Sequence, residues 1–338
     1  MSARRGIQHS RRAIFTSGAI LLAALAIPAA AQNNPNRDYP SRQIKVIVPF
    51  AAAGVQDMVS RIVFEKVAVA LGQTAVIENR PGAGGTLGLT AAAQSAPDGY
   101  TLVIGDPRGS LAVAPSLYAR LPYHPLTSFV PVALVGTSGA VLSVGTDFPA
   151  RTLAELVDTA KKNPGQVTFG STGNGTPGHL NGELFKRLTG IEVVHVPYRV
   201  VSQAVTDLMT ARIGFWISPV ATVLQQLQQD QLRALAVAGD SRAPELPDVP
   251  TVKEVGFGEF DVSTAYAFFA PAGTPKPVLE KLYAHIKDAL EAPDVQDRLR
   301  KAGVQPGIGR PEQVTEILTG KIAQWRTVIR EAGIQIER

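Results

Sequence analysis

The hydrophobic pattern of the chain switches repeatedly between a period of two and a period near 3.6 residues. Ile44-Lys45-Val46-Ile47-Val48 is a short β-branched run closed by Pro49, and it reads as a strand. A small-residue loop, Ala51 to Gly54, leads into a helical stretch over about Asp57 to Leu71, with Gly72 as its stop. Ala75-Val76-Ile77-Glu78 is the next strand. Arg80 to Gly85 is a loop, and Thr86 is placed to cap a helix running to about Ala96. Pro97-Asp98-Gly99-Tyr100 is a turn signal before a strand over Thr101 to Ile104.

The same alternation restarts after about Gly136. A helix over Thr152 to Lys162 and a strand over Val167 to Phe169 precede a long polar loop, Gly170 to Gly178. Then follow a helix (about His179 to Leu188), a strand (Val193 to Val196), a helix (Ser202 to Thr210) and a strand (Ile213 to Ile217). A helix over Val220 to Gln229 and strands over Leu235 to Ala238 and Tyr266 to Ala270 lead to three helical segments, beginning near Pro275, Asp294 and Pro311. Such alternation predicts an α/β fold with mostly parallel sheets covered on both faces. Two units in series predict two Rossmann-like lobes. Ligands in open α/β sheets sit beyond the carboxyl ends of the strands, so two facing lobes form a central cleft that closes by hinge motion.

Composition narrows the function classes. The 338 residues suffice for two lobes with their own cores, and 45% hydrophobic against 18% charged residues is a globular balance. The absence of cysteine excludes disulfides, thiolate nucleophiles and zinc–thiolate sites. The net charge of +5 owes four positive charges to Arg4, Arg5, Arg11 and Arg12. These precede an uncharged apolar run, Ala13 to Ile27, then Pro28 and Ala29-Ala30-Ala31, the layout of a secretory signal over residues 1–31. Ser10-Arg11-Arg12-Ala13-Ile14 also resembles a twin-arginine signal. The apolar run is too short to span a bilayer, so a cleaved signal and a periplasmic protein without direct membrane insertion are expected. Without its leader the chain is nearly neutral, which argues against nucleic acid as a partner.

Two loops carry the candidate chemistry. Gly170 to Gly178 has four glycines in nine positions, where an ordinary turn needs one or two. Its glycines let backbone N–H groups approach a ligand, Ser171, Thr172, Asn174 and Thr176 add side-chain donors beside Gly173 and Gly175, and the following helix N-terminus favours an anion. The pattern fits a carboxylate cradle. Pro49 to Asp57 reads similarly, with Phe50, Ala53 and Gly54 at the end of the first strand; Asp57 either caps the helix or meets the ligand, and capping is the simpler role. Arg108, just past a strand end, is a candidate carboxylate clamp or a solvated loop residue; the same alternatives hold for Arg199. Tyr198 and Ser218, at the ends of later strands, complete the candidate set. Pro81 to Thr86 is not a nucleotide loop, since neither G-x-x-x-x-G-K-[ST] nor G-x-G-x-x-G is formed from its glycines. His124, His179, His195 and His285 lie on separate elements, so structural histidines are expected and no metal or other cofactor. No G-x-S-x-G elbow or H-E-x-x-H motif marks an enzyme.

In order and spacing, several stretches resemble the Bug family of periplasmic solute-binding proteins that serve tripartite tricarboxylate transporters. They include Ile47-Val48-Pro49-Phe50 with Asp57, Glu78-Asn79-Arg80-Pro81-Gly82-Ala83-Gly84-Gly85, Pro97-Asp98-Gly99-Tyr100, His195-Val196-Pro197-Tyr198 and Ala270-Pro271-Ala272-Gly273-Thr274-Pro275. The resemblance implies a type II periplasmic-binding-protein fold, with lobe one over 38–135 plus 257–338 and lobe two over 136–256. It implies a ligand carboxylate held by Ser171 to Thr176, with Phe50 to Asp57 reaching from the other lobe. The family's P-G-G reads Ala52-Ala53-Gly54 here, its Lys/Arg-Gly after H-V-P-Y reads Arg199-Val200, a common acid is Ile217 and a common aromatic is Ala265. A carboxylate lost and apolar surface gained favour a larger, aromatic or dicarboxylic ligand over a small amino acid. The expected partners are that ligand and a membrane permease of the tripartite tricarboxylate type; the alternatives are a receptor feeding a membrane sensor kinase, then a periplasmic enzyme. A monomer is expected, since a clamshell closes without a partner.

Overall fold

The computed structural model describes residues 39–239, 241–258 and 260–331, so the signal expected over 1–31 lies outside the described residues. Six strands, β1 (Ile44–Val48), β2 (Ala75–Asn79), β3 (Thr101–Gly105), β4 (Phe129–Ser138), β10 (Thr264–Pro271) and β11 (Gln305–Gly309), form one sheet in the order β11-β4-β10-β3-β1-β2. Five others, β5 (Ala140–Gly145), β6 (Thr168–Ser171), β7 (Val194–Pro197), β8 (Phe215–Pro219) and β9 (Leu232–Ala238), form a second in the order β7-β6-β8-β5-β9.

Helices cover both sheets. They are α1 (Val55–Leu71), α2 (Thr86–Ala93), α3 (Ser110–Leu117), α4 (Leu153–Lys162), α5 (Pro177–Thr189), α6 (Val201–Met209), α7 (Val220–Gln228), α8 (Lys276–Glu291), α9 (Pro293–Lys301) and α10 (Pro311–Glu331). None of the described helices is long and apolar enough to cross a membrane.

The sheets are mixed, not mostly parallel. β1, β2 and β3 pair in parallel, as do β6, β7 and β8, but β10 runs antiparallel to β3 and β4, and β5 antiparallel to β8 and β9. The cause is how the chain changes sheets. β4 ends at Ser138 and β5 starts at Ala140, so one extended segment passes directly from the first sheet to the second; β10 brings the chain back beside β4. No crossover helix intervenes, so nothing forces these strands into parallel pairing.

Period-two alternation builds the cores. On β1, Val46 and Val48 pack with Val59, Val63 and Phe64 of α1, while Ile47 faces the opposite layer with Leu89 and Val103. On β8, Phe215 and Ile217 join Phe169 and Phe185, while Trp216 faces Leu208 and Val223. Helix ends follow local chemistry. Thr152 accepts the Glu155 N–H at 3.2 Å and Glu155 accepts the Arg151 N–H at 2.6 Å, a reciprocal cap worth about 1 kcal/mol. Thr86 is not a cap: Gly85, at φ 96°, occupies that position, and the Thr86 hydroxyl donates to Ala83 O at 2.8 Å.

Candidate ligand site

The first-strand loop is tightly braced. Asp57 is the third residue of α1, whose cap position is Gly54, so it is not the N-cap. Its buried carboxylate instead reaches back to the Ala53 N–H at 3.0 Å and pairs with Arg61 at 2.9 Å. Burial opposes ionisation of Asp57, but the hydrogen bonds from Arg61 and Ala53 outweigh it and hold the carboxyl below its ordinary range. Asn79 Nδ2 donates to Phe50 O at 3.1 Å, tying the loop to the end of β2. The Phe50 ring lies beside Gly85, where a Cβ would meet its Cζ at 3.2 Å.

The second-sheet loop is held from beneath by two imidazoles. Ser171 Oγ, at the end of β6, lies 2.6 Å from His195 Nε2 and accepts the Gly173 N–H at 3.0 Å. The Gly175 N–H donates to His179 Nδ1 at 3.1 Å, and Thr176 Oγ1 donates to Gly173 O at 2.7 Å. Ser171, Gly175 and Thr176 are buried, Gly173 is half-buried, and Thr172 and Asn174 are exposed. The first turn of α5 carries no acidic residue, and its cap residue Thr176 makes no side-chain cap bond. Its helix dipole therefore meets no carboxylate from its own first turn.

Arg108 is half-buried. Its guanidinium bonds Ser263 Oγ and Asp261 Oδ2, the latter at 3.3 Å, while its buried Nε meets no acceptor among the described residues. Trp325 Nε1 donates to Arg108 O at 2.7 Å. Asp106 is buried, accepts the N–H groups of Arg108 at 3.0 Å and Ala265 at 3.2 Å, and is pushed up to about 6 by burial against those bonds. Asp106, Arg108, Asp261, Lys321 and Trp325, with Pro177 and Asn181 of α5, surround about 10 Å³ of space, room for about one water. The sheets meet closely at this point: a Cβ on Gly109 would lie 3.1 Å from Pro177 Cγ.

Several other candidates have structural engagements. The Tyr198 hydroxyl donates to Asp207 at 2.9 Å, and Arg199 is exposed. Ser218 is buried, and its hydroxyl has no partner among the described residues. Ile217 and Ala265 are fully packed in the interior, so they contribute core and add no apolar surface to a cleft; the argument for an aromatic ligand from those positions fails. The sequence reading did not find Asp106, Asp261, Lys321 or the unpartnered buried hydroxyl of Ser110. Only Asp106, in Gly105-Asp106-Pro107 at a strand end, carried a local signal.

Residues 59–334 match the model of the Tripartite tricarboxylate transporter family receptor (TctC). A UPF0065 protein in the tcbD–tcbE intergenic region of Pseudomonas sp. strain P51 is 37% identical, over 91% of this chain and 92% of its own length. Protein BugT of Bordetella pertussis is 35% identical, over 94% of this chain and 96% of its own. Among solved structures, the periplasmic binding protein BugD matches with a TM-score of 0.80 at 33% identity, covering 88% of this chain and 100% of BugD. A protein of R. palustris with adipate matches with a TM-score of 0.82 at 31% identity, covering 88% and 100%. MatC of Rhodopseudomonas palustris with bound malate matches with a TM-score of 0.78 at 32% identity, covering 86% and 100%. The matching family is one of transporter receptors and BugD is a periplasmic binding protein, not an enzyme.

Proposed function

Because the chain belongs to the tripartite tricarboxylate transporter receptor family, we propose that it captures a small dicarboxylate between its two sheets, in the periplasm, and delivers it to a membrane permease of that transporter type. The observation that carries this reading is the α5 N-terminus with its loop, Ser171 to Thr176. It offers a helix dipole with no acid in its first turn, beside the exposed Thr172 and Asn174. One ligand carboxylate sits there. The second faces Arg108 once the sheets part to widen the one-water space beside it, where Arg108 Nε is buried without a partner among the described residues and Lys321 is nearby. Phe50, Ala53 and Gly54 close over the ligand from the first sheet. The adipate and malate held by two similar structures support the dicarboxylate class.

The test is calorimetric and thermal-shift titration of the purified protein with malate, adipate, citrate, aspartate and benzoate. A ligand that binds only the folded state at a hundredfold over Kd adds about 2.7 kcal/mol, a shift of a few degrees. A dicarboxylate is expected to give the largest shift, and Thr172→Ala and Arg108→Ala are each expected to weaken it at least tenfold. Tight citrate or benzoate binding beside inert malate, adipate and aspartate would sink the assignment.

A further inference from the structure

The two imidazoles beneath the loop are placed by register. β6 and β7 pair in parallel with Phe169 opposite His195, and α5 returns His179 over the same spot. The rings stack with centroids 4.0 Å apart and an interplanar angle of 15°, and Phe169 flanks both. Each ring has one polar contact with the loop, and each uses a different nitrogen. His179 Nδ1 takes the Gly175 N–H, so that nitrogen carries a lone pair. His195 Nε2 faces Ser171 Oγ, which also meets both the N–H and the C=O of Gly173. The Ser171 hydroxyl has one proton; when it goes to Gly173 O, His195 Nε2 must donate.

The surroundings keep the pair uncharged. Burial comes first in lowering both imidazoles below the ordinary histidine value; Glu183 opposes it at His179, His179 adds to it at His195, and Lys186 adds to it at both. The ionisable groups facing them are Glu183 and Lys186 of α5, which pair with each other at 2.8 Å, with Glu183 3.9 Å from His179 Nε2. β6 and β8 contribute no ionisable side chain, and β7 contributes only His195 itself. Two charged rings at this separation would repel strongly in a partly desolvated site.

We propose that His179 and His195 are positioning residues for ligand capture: a stacked pair of neutral imidazoles that fixes Gly175 N–H through Nδ1 of one ring and Ser171 Oγ through Nε2 of the other. The ligand touches neither the rings nor the groups bonded to them; the rings brace the loop that presents the exposed Thr172 and Asn174 to it. This rests on the carboxylate reading of the same loop.

The differing nitrogens give a crossed test, because Asn mimics the Nδ1 position of histidine and Gln the Nε2 position. With malate and adipate as probes, His179→Asn and His195→Gln are expected to bind within about threefold of wild type. His179→Gln and His195→Asn are expected to lose at least tenfold while folding as well as their partners. Equal effects of Asn and Gln at both positions would overturn the proposal, as would unaltered binding in all four. Imidazole nitrogen NMR of the ligand-free protein at neutral pH keeps the question separate from ligand identity. An unprotonated His179 Nδ1, and a Gly175 amide resonance displaced in His179→Gln but not in His179→Asn, are expected even where neither dicarboxylate binds. A protonated Nδ1 would overturn the proposal; a correct tautomer with no binding of either probe would overturn only the ligand assignment.

Discussion

The Asp57 carboxylate accepts the Ala53 N–H at 3.0 Å, and Ala53 is held there at φ 62°, a left-handed conformation that disfavours a Cβ. One residue thus stores strain that its neighbour's hydrogen bond and ion pair to Arg61 keep in place. Glycine would relieve about 1–2 kcal/mol of strain but add about 0.5–1 kcal/mol of unfolded-state entropy. Ala53→Gly is therefore expected to gain up to about 1.5 kcal/mol in urea unfolding. Asp57→Ala, which leaves the Ala53 N–H and Arg61 without this acceptor, is expected to lose about 1–3 kcal/mol. A loss of stability in Ala53→Gly would show that the loop is not strained.

Tyr198 belongs to the second sheet's support. Its hydroxyl is committed to Asp207, and burial followed by that partner pushes the phenol up to about 12. Tyr198→Phe is expected to bind malate within about twofold of wild type while losing about 1 kcal/mol of stability. A tenfold affinity loss would return the hydroxyl to the ligand site.

How far the sequence revealed this arrangement depends on the range over which each signal acts. The α/β class, the two loops at strand ends and most helices follow from local periodicity and from Gly, Pro and Asp punctuation. β11 does not: Gln305-Pro306-Gly307-Ile308-Gly309 has no strand-like pattern and exists because it lies along β4. β4, with Pro131 and Gly136 within it, is likewise set by its neighbours β10 and β11. The imidazole pair depends on strand register, and the Arg108–Asp261 pair joins residues 153 positions apart, so neither leaves a local trace.

Half-buried His195 and buried Asp106 respond to acid in opposite senses. His195, held down to about 4 by burial, then by His179 and Lys186, contributes stability above pH 6.5 that is lost as pH falls towards 4. Asp106, raised to about 6 from 3.8 by burial, opposes folding once ionised; that penalty disappears as pH falls through 6 towards 3.8. In the wild type the two offset each other over the same window. Asp106→Asn is expected to lose stability more steeply than wild type between pH 6.5 and 4.5, and His195→Gln less steeply. Parallel curves of melting temperature against pH for all three proteins would refute the assignment.

Gly109 is required by space. A Cβ there would collide with Asp106 Oδ2 and lie 3.1 Å from Pro177 Cγ. Gly109→Ala must therefore displace the carboxylate that holds Arg108 and Ala265, and press on α5 where the two sheets meet. Overpacking of this kind costs about 1–3 kcal/mol. The variant is expected to lose stability in that range and to bind malate at least tenfold more weakly, because closing the sheets on the ligand now meets the new methyl group. Pro177→Ala in the same chain removes the contact across the sheets but leaves the clash with Asp106. The double variant should thus recover affinity while remaining destabilised, a coupling that a double-mutant cycle measures. Recovery of stability without affinity would place the contact outside the capture step and make Gly109 a packing residue of the first sheet alone.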